Sequence, residues 1–311
     1  MSYTNILGID KKYNIDYSVV IGKGSFSRIF KALDIVKKNI VAVKCVKLKK
    51  ITPQCKKLLI SEISLLKSIN HPNIIKCLDH FITDSMIYIV LEYCPKGDFS
   101  IFLQNNHLEE NEVKLYFLQL IEAVKYLRDN KIMHRDIKPT NILISSNNKL
   151  KLSDFGLAKR YQKPSLLSET ICGSPLYMAP ELLFQKQYTN TCDVWSLGIV
   201  LYEMLFKNVP FEANTLPELK KKLIHNSLEI TNITENCKDL LRRLLEKDER
   251  NRISWEELFN HEWLSKNEKC NLGMSKSLSI PIKKKRDRNV NNHLIMNFLD
   301  DFQYEDDYEL I

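Results

Sequence analysis

The sequence has no Cys-x-x-Cys pair. Its eight cysteines stand apart from one another and from the seven histidines, which argues against a zinc site and against a disulfide framework. No apolar run is long enough for a bilayer: the longest, around Val194 to Leu205, contains Ser, Gly and Glu and falls short of the ~20 residues a span needs. It reads as a buried helix. Met1 to Asn14 lacks a charged region followed by an apolar one, so no secretory signal is expected and a reducing setting follows. Cytoplasm is the first expectation, with the nucleus possible, or a host cytoplasm were the chain viral. Arginine is sparse, with 10 residues against 36 Lys, beside 32 Ile and 26 Asn. An AT-rich codon bias explains the net charge of +8 better than nucleic-acid binding, which leans on Arg. Neither nucleic acid nor membrane insertion is expected, and no repeat of fixed period is visible.

What is present suits a soluble enzyme: 311 residues, 44% hydrophobic and 27% charged, are ample for a large core. Tyr17 to Ile21, Arg28 to Asp34, Ile40 to Leu48, Ile74 to Phe81 and Met86 to Tyr93 are β-branched or aromatic runs that read as strands. One helix interrupts them. It starts at Thr52-Pro53, carries Leu59, Ile63 and Leu66 on one face, and stops at Asn70-His71-Pro72. From about Asp98 the period becomes helical, first through Val113, Phe117, Leu120, Val124 and Leu127, then over Asp193 to Leu205, Leu216 to Ile224, Glu235 to Leu245 and Trp255 to Phe259. The fold class expected is α+β, with a small β-rich lobe and a larger, mainly α lobe. Beyond Leu264 charge segregates: residues 266–288 are net +6 and residues 289–311, with no Lys or Arg, are net −6. This predicts a charged, mobile tail.

Gly22-Lys23-Gly24-Ser25-Phe26-Ser27 lies between two predicted strands, where glycines let backbone amides approach phosphate oxygens. The strand that follows excludes a dinucleotide-binding unit, which needs a helix there, and Ser27 stands where a third glycine would be. Val41-Ala42-Val43-Lys44 sets a lysine inside an apolar strand, where it requires a carboxylate and phosphate oxygens. Glu62, on the isolated helix, is the natural partner. His134-Arg135-Asp136-Ile137-Lys138-Pro139-Thr140-Asn141 follows, then Asp154-Phe155-Gly156 and Ala179-Pro180-Glu181.

That ordered series resembles the eukaryotic protein kinase family over about residues 14–264. The resemblance implies a bilobal kinase fold: an N-terminal extension over 1–13, an N-lobe over about 14–94, a C-lobe over about 95–264, and the tail over 265–311. It implies ATP and Mg²⁺, with nucleotide held by Ile21, Gly22, Lys23, Gly24, Ser25, Phe26, Ser27, Arg28 and Ile29, by Lys44 braced on Glu62, by the backbone of Glu92 and Cys94, and by Asp98 near the ribose. Leu91 becomes the gatekeeper. Asn141 and Asp154 offer hard oxygens to the metal, Asp136 orients the acceptor hydroxyl, and Lys138 neutralises the γ-phosphate. The Asp136-to-Lys138 spacing is that of Ser/Thr kinases. By the same resemblance Glu181 pairs with Arg252, Asp193 braces the catalytic loop, and Thr170 is the activating phosphosite, to be met by Arg135 and Lys159.

Ser168 to Glu181, with Tyr93-Cys94 and Gly97-Asp98, is most similar to the autophagy-initiating (Unc-51-like) subfamily. Thr140 stands where kinases that demand an upstream arginine carry Glu, so such substrates lose an anchor. Ile171, Pro175 and Met178 are expected to line an apolar pocket for the residue after the acceptor, and Leu157 to favour Ser over Thr. Two other readings stay open: a pseudokinase scaffold that binds partners without transfer, and a small-molecule kinase. In the tail, Leu294, Ile295, Phe298, Leu299 and Phe302 fall on one helical stripe. Asp306 to Ile311 resembles short motifs that add a strand to ubiquitin-like adaptors, which leaves intramolecular docking, adaptor binding and a solvated end as alternatives.

Overall fold

The computed structural model describes residue 9 and residues 11–24, 27–50, 52–161 and 174–265. Thr170, Ile171, Cys172, Ser25, Phe26 and the tail stripe lie outside them. The chain separates into two compact units, Met1–Lys163 and Pro164–Ile311.

The first unit opens with five antiparallel strands, β1 (Tyr13–Lys23), β2 (Ser27–Asp34), β3 (Ile40–Lys47), β4 (Cys77–Ile82) and β5 (Met86–Glu92), in the order β1-β2-β3-β5-β4. β3 is central and buried on both faces, so its sequence is a near-continuous apolar run interrupted by one charge. Val41, Val43 and Cys45 join Phe30 and Val90 on one face. Val46 faces the other way, with Ile87, Ile89 and Ile63. The two-residue period therefore turns Lys44 to the Val46 side. Helix α1 (Pro53–Ser68) covers that side, and Pro53 at its first position matches the expected start.

The N-terminal edge of the sheet reaches further than the sequence suggests. Strand β1 begins four residues before Tyr17, and Ile9 and Tyr13 are buried in the sheet's core. After β5 comes a helix that the periodicity missed, α2 (Phe99–Asn105). Its seven residues, FSIFLQN, are rich in aromatics, and what commits them to a helix is Asp98, whose side chain accepts from the Ile101 N–H. The long helix α3 (Glu110–Asp129) begins with a reciprocal Glu109/Glu112 capping box and buries Val113, Phe117, Leu120, Val124 and Leu127. Short strands follow: β6 (Ile132–Met133), β7 (Ile142–Ile144), β8 (Leu150–Leu152) and β9 (Lys159–Arg160), with β6 paired to β9 and β7 to β8.

The second unit is helical among the described residues: α4 (Pro180–Leu183), α5 (Cys192–Phe206), α6 (Leu216–His225), α7 (Glu235–Leu244) and α8 (Trp255–Phe259). Helix α5 is buried almost all round, as its uninterrupted apolar run requires. Gly198 lets it approach the end of α7: a Cβ there would lie 2.9 Å from Leu244 Cβ and 2.7 Å from Leu245 Cδ2. Glu181 and Arg252 form a bidentate pair, Nη1 to Oε1 at 2.7 Å and Nη2 to Oε2 at 2.9 Å, with both side chains buried. Arg252 also stacks over Trp195, 5.2 Å from the ring centroid. No helix among the described residues is long and apolar enough to cross a membrane.

Candidate functional site

Lys44 Nζ lies 3.2 Å from Glu62 Oε1 and 3.5 Å from Asp154 Oδ1. Burial opposes the lysine's charge, but attraction to Glu62 and then Asp154 outweighs it and holds the ammonium above the ordinary lysine value. Burial likewise works against ionised Asp154, and the cationic surroundings, Lys44 foremost, reverse it and hold the carboxyl below its usual range. The three groups are thus mutually charged, as a buried lysine in an apolar strand demands. Glu62 is 8% exposed.

The second cluster is built on the turn after β6. Asp136 Oδ2 receives Lys138 Nζ at 2.8 Å and Asn141 Nδ2 at 2.7 Å, and the same Asn141 nitrogen donates to the Asp136 carbonyl at 2.9 Å. Both amide hydrogens of Asn141 are therefore spent on Asp136, which leaves Oδ1 as the atom offered outward. His134 is fully buried and organises the turn. Its Nε2 lies 3.0 Å from the Ser153 carbonyl, and its Nδ1 accepts the Asp136 N–H at 3.3 Å, which puts the proton on Nε2. Phe155 packs edge-on against the ring at 4.8 Å.

Two residues of this region occupy the left-handed backbone region, Arg135 at φ 66° and Asp154 at φ 60°. Non-glycine residues adopt it at a cost of about 1–2 kcal/mol. Here it turns the Asp154 carboxylate back toward Lys44. Ser153 fixes the joint, its N–H and hydroxyl both donating to the Asn141 carbonyl at 2.8 and 2.9 Å. Sequence reasoning passed over Ser153. The signal was a lone hydroxyl closing the run Leu150-Lys151-Leu152. Arg160 was missed as well; its Nη2 donates to Ser68 Oγ at 2.7 Å and ties β9 to the end of α1. Arg135 Nε donates to the Leu157 carbonyl at 2.6 Å.

Among the residues expected at the nucleotide, Ile21, Gly22 and Lys23 end β1, and Ser27, Arg28 and Ile29 begin β2. Gly24 closes the turn by exchanging backbone bonds with Ser27 at 2.9 and 3.4 Å. A Cβ on Gly24 would meet Ser27 Oγ at 2.7 Å, so the Ser27 hydroxyl fills the space beside that glycine. Glu92 has a structural side chain: Oε1 accepts from the Lys76 N–H and from Lys151 Nζ, both at 2.8 Å. Its backbone remains the part suited to a base. Cys94 is buried, and burial pushes its thiol up to about 12. Asp98, expected at the ribose, uses Oδ1 to cap α2, accepting from the Ile101 N–H at 3.1 Å and from the Ser100 hydroxyl.

Among the outlying expectations, Thr140 is exposed within a 3₁₀ turn beside Asn141, and Leu157 is half-buried. Pro175 is half-buried, whereas Met178 is 6% exposed and belongs to the core of its unit. Asp193 is buried in the first turn of α5. No group of three or more His, Cys, Asp or Glu among the described residues is placed to hold a metal ion.

Comparison with known proteins accords with this arrangement. The family model of the protein kinase domain matches residues 15–264. The chain is 39% identical over 258 residues to the serine/threonine-protein kinase atg1 of Dictyostelium discoideum, covering 79% of this chain and 38% of that protein. It is 38% identical over 261 residues to ATG1b of Arabidopsis thaliana, covering 80% and 37%. To human serine/threonine-protein kinase ULK3 it is 39% identical over 254 residues, covering 78% and 53%. The chain thus spans between about a third and about half of the length of these curated relatives. With the family's model matched across four-fifths of its residues, the chain belongs to the protein kinase domain family.

Proposed function

We propose that this chain is a protein serine/threonine kinase that transfers the γ-phosphoryl group of ATP to Ser or Thr hydroxyls of protein substrates. The observation that carries the reading is the continuity of Lys44, Glu62 and Asp154 with Asp136, Lys138 and Asn141, every charge having a partner. A scaffold without catalysis has no need of that complete set. The activation segment leading to Ala179-Pro180-Glu181 favours a protein acceptor over a small molecule.

The donor set fits Mg²⁺, which takes one or two protein oxygens and keeps water and phosphate for the rest. Asp154 supplies a carboxylate held ionised, and Asn141 supplies the Oδ1 left over from its bonds to Asp136. When bound, the metal neutralises charge on the phosphate oxygens. In this reading Lys44, anchored on Glu62 at 3.2 Å, meets the α and β phosphates. Asp136 orients the acceptor hydroxyl and takes its proton as the new O–P bond forms and the bond to the ADP oxygen breaks. The Lys138 and Asn141 contacts to that carboxylate land on Oδ2. Lys138, now 2.8 Å from Asp136, is the cation near enough to follow the γ-phosphoryl group.

Phosphorylation at Thr170, with Arg135 and Lys159 as the basic groups expected to meet it, belongs to the same reading, as does a preference for substrates lacking an upstream arginine, argued from exposed Thr140. The acidic end, Asp306 to Ile311, is our candidate for a ubiquitin-like adaptor. A reducing compartment, cytoplasm first, is supported by the thiols of Cys45, Cys94, Cys192 and Cys237, which form no disulfide.

The test is labelled phosphate transfer from γ-labelled ATP, with Ser/Thr peptides, protein acceptors and small hydroxyl compounds offered in parallel to wild type and Asp136→Asn. Transfer to Ser/Thr peptides, lost in the variant, is the expected result. Transfer to small molecules alone, or none at all by wild type, would overturn the proposal. A peptide screen dominated by arginine three residues upstream would remove the specificity argument.

A further inference from the structure

Within the second unit, Glu249 builds a cluster that the kinase motifs do not use. It lies in the loop after α7, between Asp248 and Arg250, which pair with each other at the surface. The Glu249 carboxylate turns instead onto the residues that lead into α5. Its Oε1 accepts from the Thr189 N–H at 3.1 Å, from the Thr189 hydroxyl at 2.5 Å and from the Thr191 hydroxyl at 2.6 Å. Hydrogen bonds to a carboxylate are of the strong, charge-assisted kind. The arrangement leaves α5 without its cap. Thr191 is the N-cap residue of that helix, yet its side chain makes no capping bond. The hydroxyl that would accept from the first turn is turned to Glu249.

What the first turn of α5 holds gives the clasp its meaning. Arg252 donates Nη1 to the Thr191 carbonyl at 3.2 Å while the same guanidinium grips Glu181. One loop therefore takes the lead into α5 twice, by its carbonyl and by its hydroxyls. One turn further on, the Ser196 hydroxyl lies 3.2 Å from the Cys192 carbonyl and 2.9 Å from the Tyr177 carbonyl. Tyr177 closes the 3₁₀ turn Pro175–Tyr177, and its own hydroxyl runs to Glu203 farther along α5. That turn is thus seated on α5 through both ends of Tyr177. Helix starts without a side-chain cap fray, so loss of Glu249 loosens the first turn and, with it, the Ser196 contact. Residues 175–178 are the stretch expected beside the residue that follows the acceptor.

We propose that Glu249 is a positioning residue for the protein acceptor: by holding Thr189 and Thr191 it fixes the first turn of α5 and, through Ser196, the Pro175–Tyr177 turn on which the substrate segment rests. The substrate part rests on the kinase reading above; the clasp stands without it. Steady-state transfer to a Ser/Thr peptide, read together with hydrogen exchange on the full chain, tests both. In Glu249→Ala the KM for peptide rises about tenfold, while kcat and the KM for ATP stay within about twofold. Amide protection falls over residues 176–178 and 191–196, with α8 unchanged as a control. Glu249→Gln keeps an acceptor oxygen and returns the peptide KM to within about threefold of wild type. Thr189→Val/Thr191→Val removes both hydroxyls with Glu249 in place and reproduces the alanine variant, which keeps the test intact should Glu249→Ala fail to fold. An unchanged peptide KM in the threonine variant overturns the proposal. So does a loss shared equally by peptide and ATP, which marks general damage, and a glutamine variant as impaired as alanine. A wild type inert toward peptides overturns the kinase reading and leaves the clasp to exchange alone, where unchanged protection over 176–178 and 191–196 overturns it.

Discussion

Asp154 combines a left-handed backbone with a carboxylate 3.5 Å from Lys44 Nζ, so substituting either residue breaks the same contact. Lys44→Met and Asp154→Ala are each expected to lower transfer by about 10³-fold or more, equivalent to about 4 kcal/mol of barrier. Circular dichroism and the unfolding midpoint are expected to stay near wild type, and near-wild-type turnover in either variant refutes the site assignment. A second carboxylate illustrates the opposite balance. Glu203 in α5 is pushed above its ordinary value by burial, against the pull of the Tyr177 hydroxyl, which donates to Oε2 at 2.7 Å. Its folded form holds a proton that the unfolded chain has already released, so this group's contribution is full below the ordinary glutamate value of 4.5 and declines as pH rises past it. Glu203→Gln keeps an acceptor for Tyr177 and removes the charge. Its melting temperature is expected to gain on wild type progressively as pH rises past 4.5, and a constant difference would contradict the assignment.

At the scale of elements, the close approach of α5 to α7 makes Gly198 a packing residue. Alanine is the better helix former by about 1 kcal/mol, yet its Cβ would lie 2.9 Å from Leu244 Cβ, which cannot rotate away. Overpacking of this kind costs about 1–3 kcal/mol, so Gly198→Ala is expected to lower the urea midpoint, and an increase would show that the helices part easily. Arg252→Ala strips a cation from Glu181 in a dry site, a loss of about 3–5 kcal/mol measurable in the same titration. The sequence made the long elements legible because their periods are strong: β3, β5, α1, α3 and α5 lie within a few residues of their expected limits. Short elements were not legible. Nothing periodic can be read in two- and three-residue strands such as β6 and β7, and α2 exists because Asp98 caps it. That capping role also shows why the aspartate's position alone could not separate a ribose ligand from a structural acid.

For the molecule as a whole, the ordered motifs were readable because the proposed phosphoryl transfer demands particular charges in a particular order. How those charges reach one another was not: the left-handed turn at Asp154, the His134 tautomer and the double hydrogen bond of Ser153 are backbone arrangements that no residue name announces. The cysteine pattern carries over to solution behaviour. Among the described residues Cys45, Cys77, Cys94, Cys192 and Cys237 form no disulfide, so thermal unfolding is expected at the same midpoint with and without a thiol reductant, and a drop in reductant would reveal a bridge. Cys94 has a consequence for ligand design. It sits at the rim where adenine is expected, an inviting anchor for an electrophilic inhibitor, but attack requires thiolate, and a thiol held near 12 offers almost none at neutral pH. Acrylamides aimed at this hinge would meet an inert sulfur, and selectivity among ATP-site compounds would have to come from reversible contacts instead.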